Sequence, residues 1–127
     1  MTQVSFSHVL QIFPCPDIQI TAAYYKKIGF RSVPYLNSME PHICLYRDTI
    51  ELILTQSAIH KIFPNRIQYG YGYDAYFITD KQAAMQQEFL DKGITIVRPL
   101  MITDYGNKEF VFEDIDSRWI AVGNKIS

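Results

Sequence analysis

The sequence predicts an α+β domain made of two tandem strand-helix-three-strand (βαβββ) units. Three observations carry that expectation. The chain repeats one order of residue types: Val9-Leu10-Gln11-Ile12, Asp17, Tyr25, Gly29 and Phe30 in the first half, and Ala75-Tyr76-Phe77-Ile78, Asp80, Phe89, Gly93 and Ile94 in the second. Each half places an aromatic residue four positions before its glycine. After each glycine come three short apolar stretches separated by turn residues.

In the first half, an apolar strand over 9–12 leads to Asp17. The Asp17 carboxylate suits an N-cap, where it accepts from free N–H groups of a first helical turn. Thr21, Tyr24, Tyr25 and Ile28 then fall at helical spacing. Gly29 ends the helix, since glycine takes the left-handed C′ conformation cheaply. Strands follow at about 30–36, 41–47 and 49–55, with Arg47-Asp48 as the last turn. Residues 56–69 form a linker containing Pro64-Asn65, and Tyr69-Gly70-Tyr71-Gly72-Tyr73 leads into the second half. There Asp80 is the expected cap, Met85 and Phe89 lie four apart, and Gly93 is the stop. Strands are expected at about 94–98, 108–113 and 118–123, with Asp114-Ile115-Asp116-Ser117 as the turn before the last. The modules therefore run from about 5 to 55 and from about 70 to 124, inside one domain spanning 1–127.

Composition agrees with a single folded unit. The chain has 127 residues, 48% hydrophobic and 20% charged, enough apolar material for one core and too much for wholesale disorder. Net charge is −1, and basic residues never run beyond Lys26-Lys27, which argues against a phosphate-tracking groove and a nucleic-acid partner. No stretch approaches the roughly 20 apolar residues that span a bilayer, so no membrane partner is expected. The N-terminus lacks the basic and apolar regions of a signal peptide. Cys15 and Cys44 are then expected as buried reduced thiols in a cytoplasmic protein. Nine Tyr and eight Phe suit both a core and a wet aromatic cleft.

The run Tyr25-Lys26-Lys27-Ile28-Gly29-Phe30 with the later strand Ile50-Glu51-Leu52-Ile53 resembles the vicinal oxygen chelate superfamily of glyoxalases, bleomycin resistance proteins and dioxygenases. So does Tyr105-Gly106-Asn107-Lys108-Glu109-Phe110 followed by Asp114-x-Asp116 and an apolar strand. The aromatic-Gly-x-x-Glu-Phe segment is most similar to the bleomycin-resistance branch, and the likeness covers about 6–124. It implies two βαβββ modules, each half of an open, cleft-containing barrel, usually paired as a homodimer with two ligand clefts. One departure stands out. The family's last turn is usually Asp-Pro-Asp-Gly-Asn, and Ser117 here occupies the glycine position.

The resemblance also implies where metal ligands would sit. The superfamily's enzymes use four positions on the first and last strands of the modules, and counting from the capping aspartates gives Leu10, Glu51, Tyr73 and Ala121. Leucine and alanine cannot ligate, tyrosine seldom does, and one carboxylate alone does not hold a transition metal. No metal or other cofactor is therefore expected. A two-residue slip would substitute His8 for Leu10, leaving His8, His42 and Glu51 as a rival cluster.

Six residues are candidates for ligand contact. Glu51 is either an outward residue of a half-exposed strand or a carboxylate lining the cleft, where a cationic ligand would partner it. His42 is either packed or a cleft donor. Trp119 shares a face with small Ala121, as a stacking platform or as plain core. Tyr73 shares a parity with Ala75 and Phe77, and either fills core or offers the cleft a ring and hydroxyl. Tyr105 lies in a loop, where packing does not demand an aromatic, and suits a ligand or partner-subunit contact. Tyr35, after Pro34, is the weakest of the six. His60 is expected at the surface, and Cys15 has no basic neighbour to activate it.

The functional expectation is a metal-independent, homodimeric small-molecule binder of the antibiotic-resistance kind, sequestering an amphipathic compound, cationic or neutral, without catalysis. The alternative is a metal-dependent lyase, isomerase or dioxygenase resembling glyoxalase. A third possibility is an interaction domain whose cleft is filled by its own side chains.

Overall fold

A computed structural model describes residues 3–126 of the chain. Asp17 caps the first helix as expected: its Oδ1 accepts from the N–H groups of Gln19 and Ile20 at 3.0 and 3.2 Å. Helix α1 then runs Ile18–Lys27, burying Ile18, Thr21, Ala22 and Tyr25, and Gly29 follows at φ 95°. Around it lie β1 Gln11–Cys15, β2 Arg31–Tyr35, β3 His42–Arg47 and β4 Ile50–Gln56. The second unit comprises β5 Ala75–Ile78, α3 Gln82–Asp91, β6 Thr95–Ile102, β7 Asn107–Glu113 and β8 Trp119–Lys125. Between the units, residues 65–69 form a short helix α2, Asn65–Tyr69, where the sequence suggested only a linker. Pro64 before its first turn and left-handed Gly70 after its last are the punctuation that marks it.

Each unit closes one four-stranded sheet, in the orders β1-β4-β3-β2 and β5-β8-β7-β6. The first and last strands of each unit pair in parallel, Phe13 with Leu54 and Phe77 with Val122. The other pairings are antiparallel. The fold is thus the expected α+β repeat, with two open sheets rather than a closed barrel.

Several boundaries differ from expectation. β1 starts at Gln11, not Val9, and continues through Pro14 to Cys15. β6 continues past Pro99 to Ile102 instead of stopping at 98. Both are edge strands, where a missing N–H costs no ladder bond. β6 accommodates its proline with register shifts on either side of Arg98. Asp80 does not cap α3. The N-cap is Lys81, with no side-chain bond. Asp80 instead accepts from the Asn124 amide at 2.8 Å, tying the helix entrance to β8.

One face of each sheet packs a helix. Leu52 and Leu54 of β4 face α1, and Phe110 and Phe112 of β7 sit edge-on to Phe89 of α3, with centroids 5.8 and 5.0 Å away. Phe77 bridges the two clusters, 6.2 Å from both Phe30 and Phe112, so the units share a single core.

The helices also interlock the units. α1 reaches the β7–β8 turn, where the buried Tyr25 hydroxyl donates to Asp114 Oδ2 at 2.6 Å. α3 reaches the β3–β4 hairpin, where Glu88 takes two bonds from Arg47 at 2.7 and 3.0 Å. Asp114 and Asp116 also hold the buried Arg118 guanidinium, each at 2.9 Å, and Arg118 donates on to the Pro14 carbonyl of β1. Ser117, where the family places glycine, does take the left-handed conformation, at φ 67°. Asp114 Oδ1 supports that strained turn by accepting from the N–H groups of Asp116 and Arg118.

Candidate functional site

Strand alternation sends Phe110 and Phe112 to the helix side of β7, and Glu109, Val111 and Glu113 to the other. On β8 the same rule puts Ile120 and Val122 in the core and turns Trp119, Ala121 and Gly123 away from it. Trp119 and Ala121 therefore share a face, as their spacing indicates. Gly123 pairs with Glu109 and leaves it room. A Cβ at 123 would collide with the Lys108 carbonyl and the Cα and Cβ of Glu109.

Glu109 is 2% exposed and carries the centre of the site. Three tyrosine hydroxyls donate to it. Tyr76 reaches Oε1 at 2.8 Å, while Tyr105 and Tyr73 reach Oε2 at 2.8 and 3.2 Å. The ring is extended on both sides. Asn107 Nδ2 donates to the Tyr76 hydroxyl at 2.8 Å, and Arg98 Nη1 donates to the Tyr73 hydroxyl at 2.9 Å. A buried carboxylate is costly without donors, and here the hydroxyls supply them. Burial and the bond to Glu109 push the Tyr76 hydroxyl up to about 12 and the Tyr105 hydroxyl well above its ordinary value. Both stay protonated donors at neutral pH.

Above this ring the surface is aromatic and cleft-shaped. One cavity of about 450 Å³ is lined by Tyr73, Arg98, Met101, Asp104, Tyr105 and Glu109, among others. A second, about 520 Å³, meets it at Tyr73, Arg98 and Tyr105 and is completed by Arg66, Tyr71 and Trp119. Trp119 is not bare. The Arg66 guanidinium lies 4.5 Å from the indole centroid and that of Arg98 lies 5.1 Å away. Glu113 fixes this corner, accepting from Trp119 Nε1 and from Arg66 Nη2, each at 3.1 Å.

Tyr73, Tyr105 and Trp119 thus come together. Tyr73 does so by a route the sequence reading missed. It lies before β5, with a bend at Asp74, so it does not share the parity of Ala75 and Phe77. Phe77 goes to the core, while Tyr73 and Tyr76 both reach Glu109.

The other three candidates lie on the first sheet. Glu51 is half-buried in a cleft of about 260 Å³ between the units, beside Leu10 and Tyr76. Tyr76 lines that cleft and its hydroxyl bonds Glu109, so this one residue links Glu51 to the aromatic site. His42 and Tyr35 lie apart from both. They pair across β2 and β3 with rings stacked at 5.2 Å, and His42 Nδ1 contacts the Glu40 carbonyl at 2.8 Å.

Among the described residues, no group of three or more His, Cys, Asp or Glu side chains is placed to hold a metal ion. His8 is exposed and bonded to Ser7, so His8, His42 and Glu51 form no cluster. His60 is exposed. Cys15 and Cys44 are buried free thiols, and burial pushes Cys15 up rather than activating it. No described helix is long and apolar enough to cross a membrane.

Glu109, Tyr76, Arg98, Arg66 and Tyr71 were not singled out from the sequence. Glu109 had a signal, as the polar residue of Tyr105-Gly106-x-x-Glu109-Phe110 opposite two core phenylalanines. Arg98 had none, because its place depends on the bulges of β6.

No protein-family model and no curated protein sequence matches the chain. Solved structures match it over nearly its whole length. The bleomycin resistance determinant encoded on transposon Tn5 is 16% identical, with a TM-score of 0.74 over 96% of this chain and 100% of that one. A bleomycin-binding protein complexed with bleomycin is 16% identical, with a TM-score of 0.72 over 95% of this chain and 100% of that one. An integron cassette protein from the mobile metagenome of V. cholerae is 24% identical, with a TM-score of 0.64 over 96% and 98%. Two interlocked βαβββ units with this strand order give the chain the fold of the bleomycin resistance proteins.

Proposed function

We propose that this chain binds and sequesters a small amphipathic, cationic compound, as a homodimer and without a metal or a catalytic step. The observation that carries the proposal is the aromatic cleft of Tyr73, Tyr105 and Trp119 over the buried Glu109 carboxylate. Rings and few polar anchors suit an amphipathic guest. A carboxylate bonded by three hydroxyls, those of Tyr76 and Tyr105 held protonated by burial, offers binding geometry but no free base or nucleophile. The Glu51 side chain makes no hydrogen bond or ion pair with a described residue, and would give a ligand cation a partner in the cleft of Leu10 and Tyr76. Leu10, Tyr73 and Ala121 at the other superfamily positions support function without a metal. The bleomycin-binding protein of the same fold makes bleomycin a reasonable first compound.

Homodimerisation is supported by uncovered apolar surface. Val4, Phe6 and Val9 of the segment before β1 are almost fully exposed, as is Met39 beyond β2. Light scattering after size exclusion should return twice the 14.8 kDa chain mass.

The decisive test combines elemental analysis of protein purified without added metal with a thermal-shift screen of bleomycin and small cationic aromatics. Substoichiometric metal and a raised melting temperature are expected. Replacing Glu51→Gln should weaken cationic compounds by about two- to fivefold, the scale of one partly screened charge contact, and leave neutral ones within error. Equal weakening of both would remove Glu51 from the site. A stoichiometric, tightly held metal would overturn the proposal in favour of glyoxalase-like chemistry.

A further inference from the structure

We propose that the Arg98 guanidinium is a resident stand-in for the ligand's cation, so the cleft takes a planar, guanidinium-like cation and Arg98 must leave to admit it. The inference rests on the binding role proposed above and adds the chemistry of the guest and the residue that limits its affinity.

Arg98 lines both cavities at their junction. Its guanidinium lies 5.1 Å from the Trp119 centroid and 5.8 Å from that of Tyr73, and donates to the Tyr73 hydroxyl at 2.9 Å. Those are the contacts an aromatic box makes to a bound cation. The charge balance agrees. In the larger Arg66 cavity, Arg66 is committed to Glu113. In the cavity over the tyrosine ring, Arg98 is the sole cation among the lining residues, against Asp104 and Glu109. Withdrawal of Arg98 leaves aromatic faces and two carboxylates, which favour replacement by another cation and disfavour an anion.

Arg98 is also built to move. Arg47, Arg66 and Arg118 each hold a carboxylate within salt-bridge distance, and among the described residues Arg98 holds none. It is exposed on edge strand β6, between two register shifts and before Pro99. Rotation of its side chain breaks no ladder bond. The Glu109 carboxylate keeps its Tyr76 and Tyr105 donors when Arg98 releases Tyr73.

The test uses three probes of similar shape: benzamidinium, benzoate and benzyl alcohol. Trp119, the single tryptophan, reports binding by its fluorescence. Arg98→Ala should bind benzamidinium about two- to fivefold tighter than the wild type, the factor one exposed cation–π contact provides. Benzoate should bind no tighter than before, and benzyl alcohol should change by less than twofold. Arg98→Gln, which keeps most of the stem, should reproduce the gain and guard against a packing artefact of the alanine. Unchanged or weaker benzamidinium binding in both variants would overturn the inference, as would a several-fold loss of benzoate, which would make Arg98 an anion anchor. A cationic compound that raises the melting temperature of the wild type and of Arg98→Ala equally would refute the stand-in while leaving the sequestering role intact. Absence of binding by any compound, charged or neutral, would remove both.

Discussion

Glu109 shows how one side chain can order several elements. It sits on β7, yet its three hydroxyl donors come from the segment before β5, from β5 and from the β6–β7 loop. Replacing Glu109→Gln puts an NH₂ where one or two hydroxyls now donate. It should cost about 1–3 kcal/mol, the price of leaving buried polar groups unmatched, read as a shift in the urea midpoint at unchanged slope. The tyrosines make a second prediction. Burial first, then neighbouring carboxylates, raises Tyr24, Tyr25, Tyr76 and Tyr105. In the unfolded chain these phenols ionise near pH 10, while in the folded protein they keep their protons longer. Their contribution to stability is therefore complete below pH 10 and is lost as pH climbs towards 12 and beyond. Spectrophotometric titration should show Tyr24, Tyr25, Tyr76 and Tyr105 ionising late, with the melting temperature falling over the same interval.

Among the elements, the two capping aspartates looked equivalent in sequence and are not. Asp17→Ala removes two bonds to the first turn of α1 and should cost about 0.5–2 kcal/mol. Asp80→Ala removes only an exposed contact to Asn124 and should cost no more than a few tenths of a kcal/mol. Denaturant titration of the pair checks both. Helix type and stop were legible because Tyr25 and Phe89, each four residues before a glycine, mark a buried stripe and its end. Strand ends were less so. Pro14, Pro34 and Pro99 would halt an interior strand, yet all three lie in edge strands, and which strand is an edge follows from pairing. The site was legible in part. Trp119 beside Ala121 follows from alternation alone, whereas Tyr73 reaches Glu109 from outside any strand.

At the scale of the whole molecule, the units are held by a shared phenylalanine core and by two polar locks of different depth. Arg118 and Asp114 are buried, and Arg118→Ala strands a carboxylate in the interior, so a loss of about 3–5 kcal/mol is expected. Arg47 and Glu88 are partly exposed, and Arg47→Ala should cost about 1 kcal/mol. Equal losses for the two variants in chemical denaturation would contradict this ranking. The interlock also explains why the site candidates divide. Glu51 lies beside Tyr76 between the units, while His42 and Tyr35 stack on each other at the far end of the first sheet.

By itself the amino-acid order determined the repeat, helices α1 and α3 with their stops, and the alternation that puts Trp119 and Ala121 on one face. Those properties depend on neighbours within a few positions. Only the tertiary structure decided that Glu109 gathers three hydroxyls, that Arg98 lies over the Trp119 and Tyr73 rings, and that Arg118 joins β1 to the last turn. Those contacts mostly join residues distant in the chain, and sheet pairing and burial, which local spacing does not encode, bring them within reach.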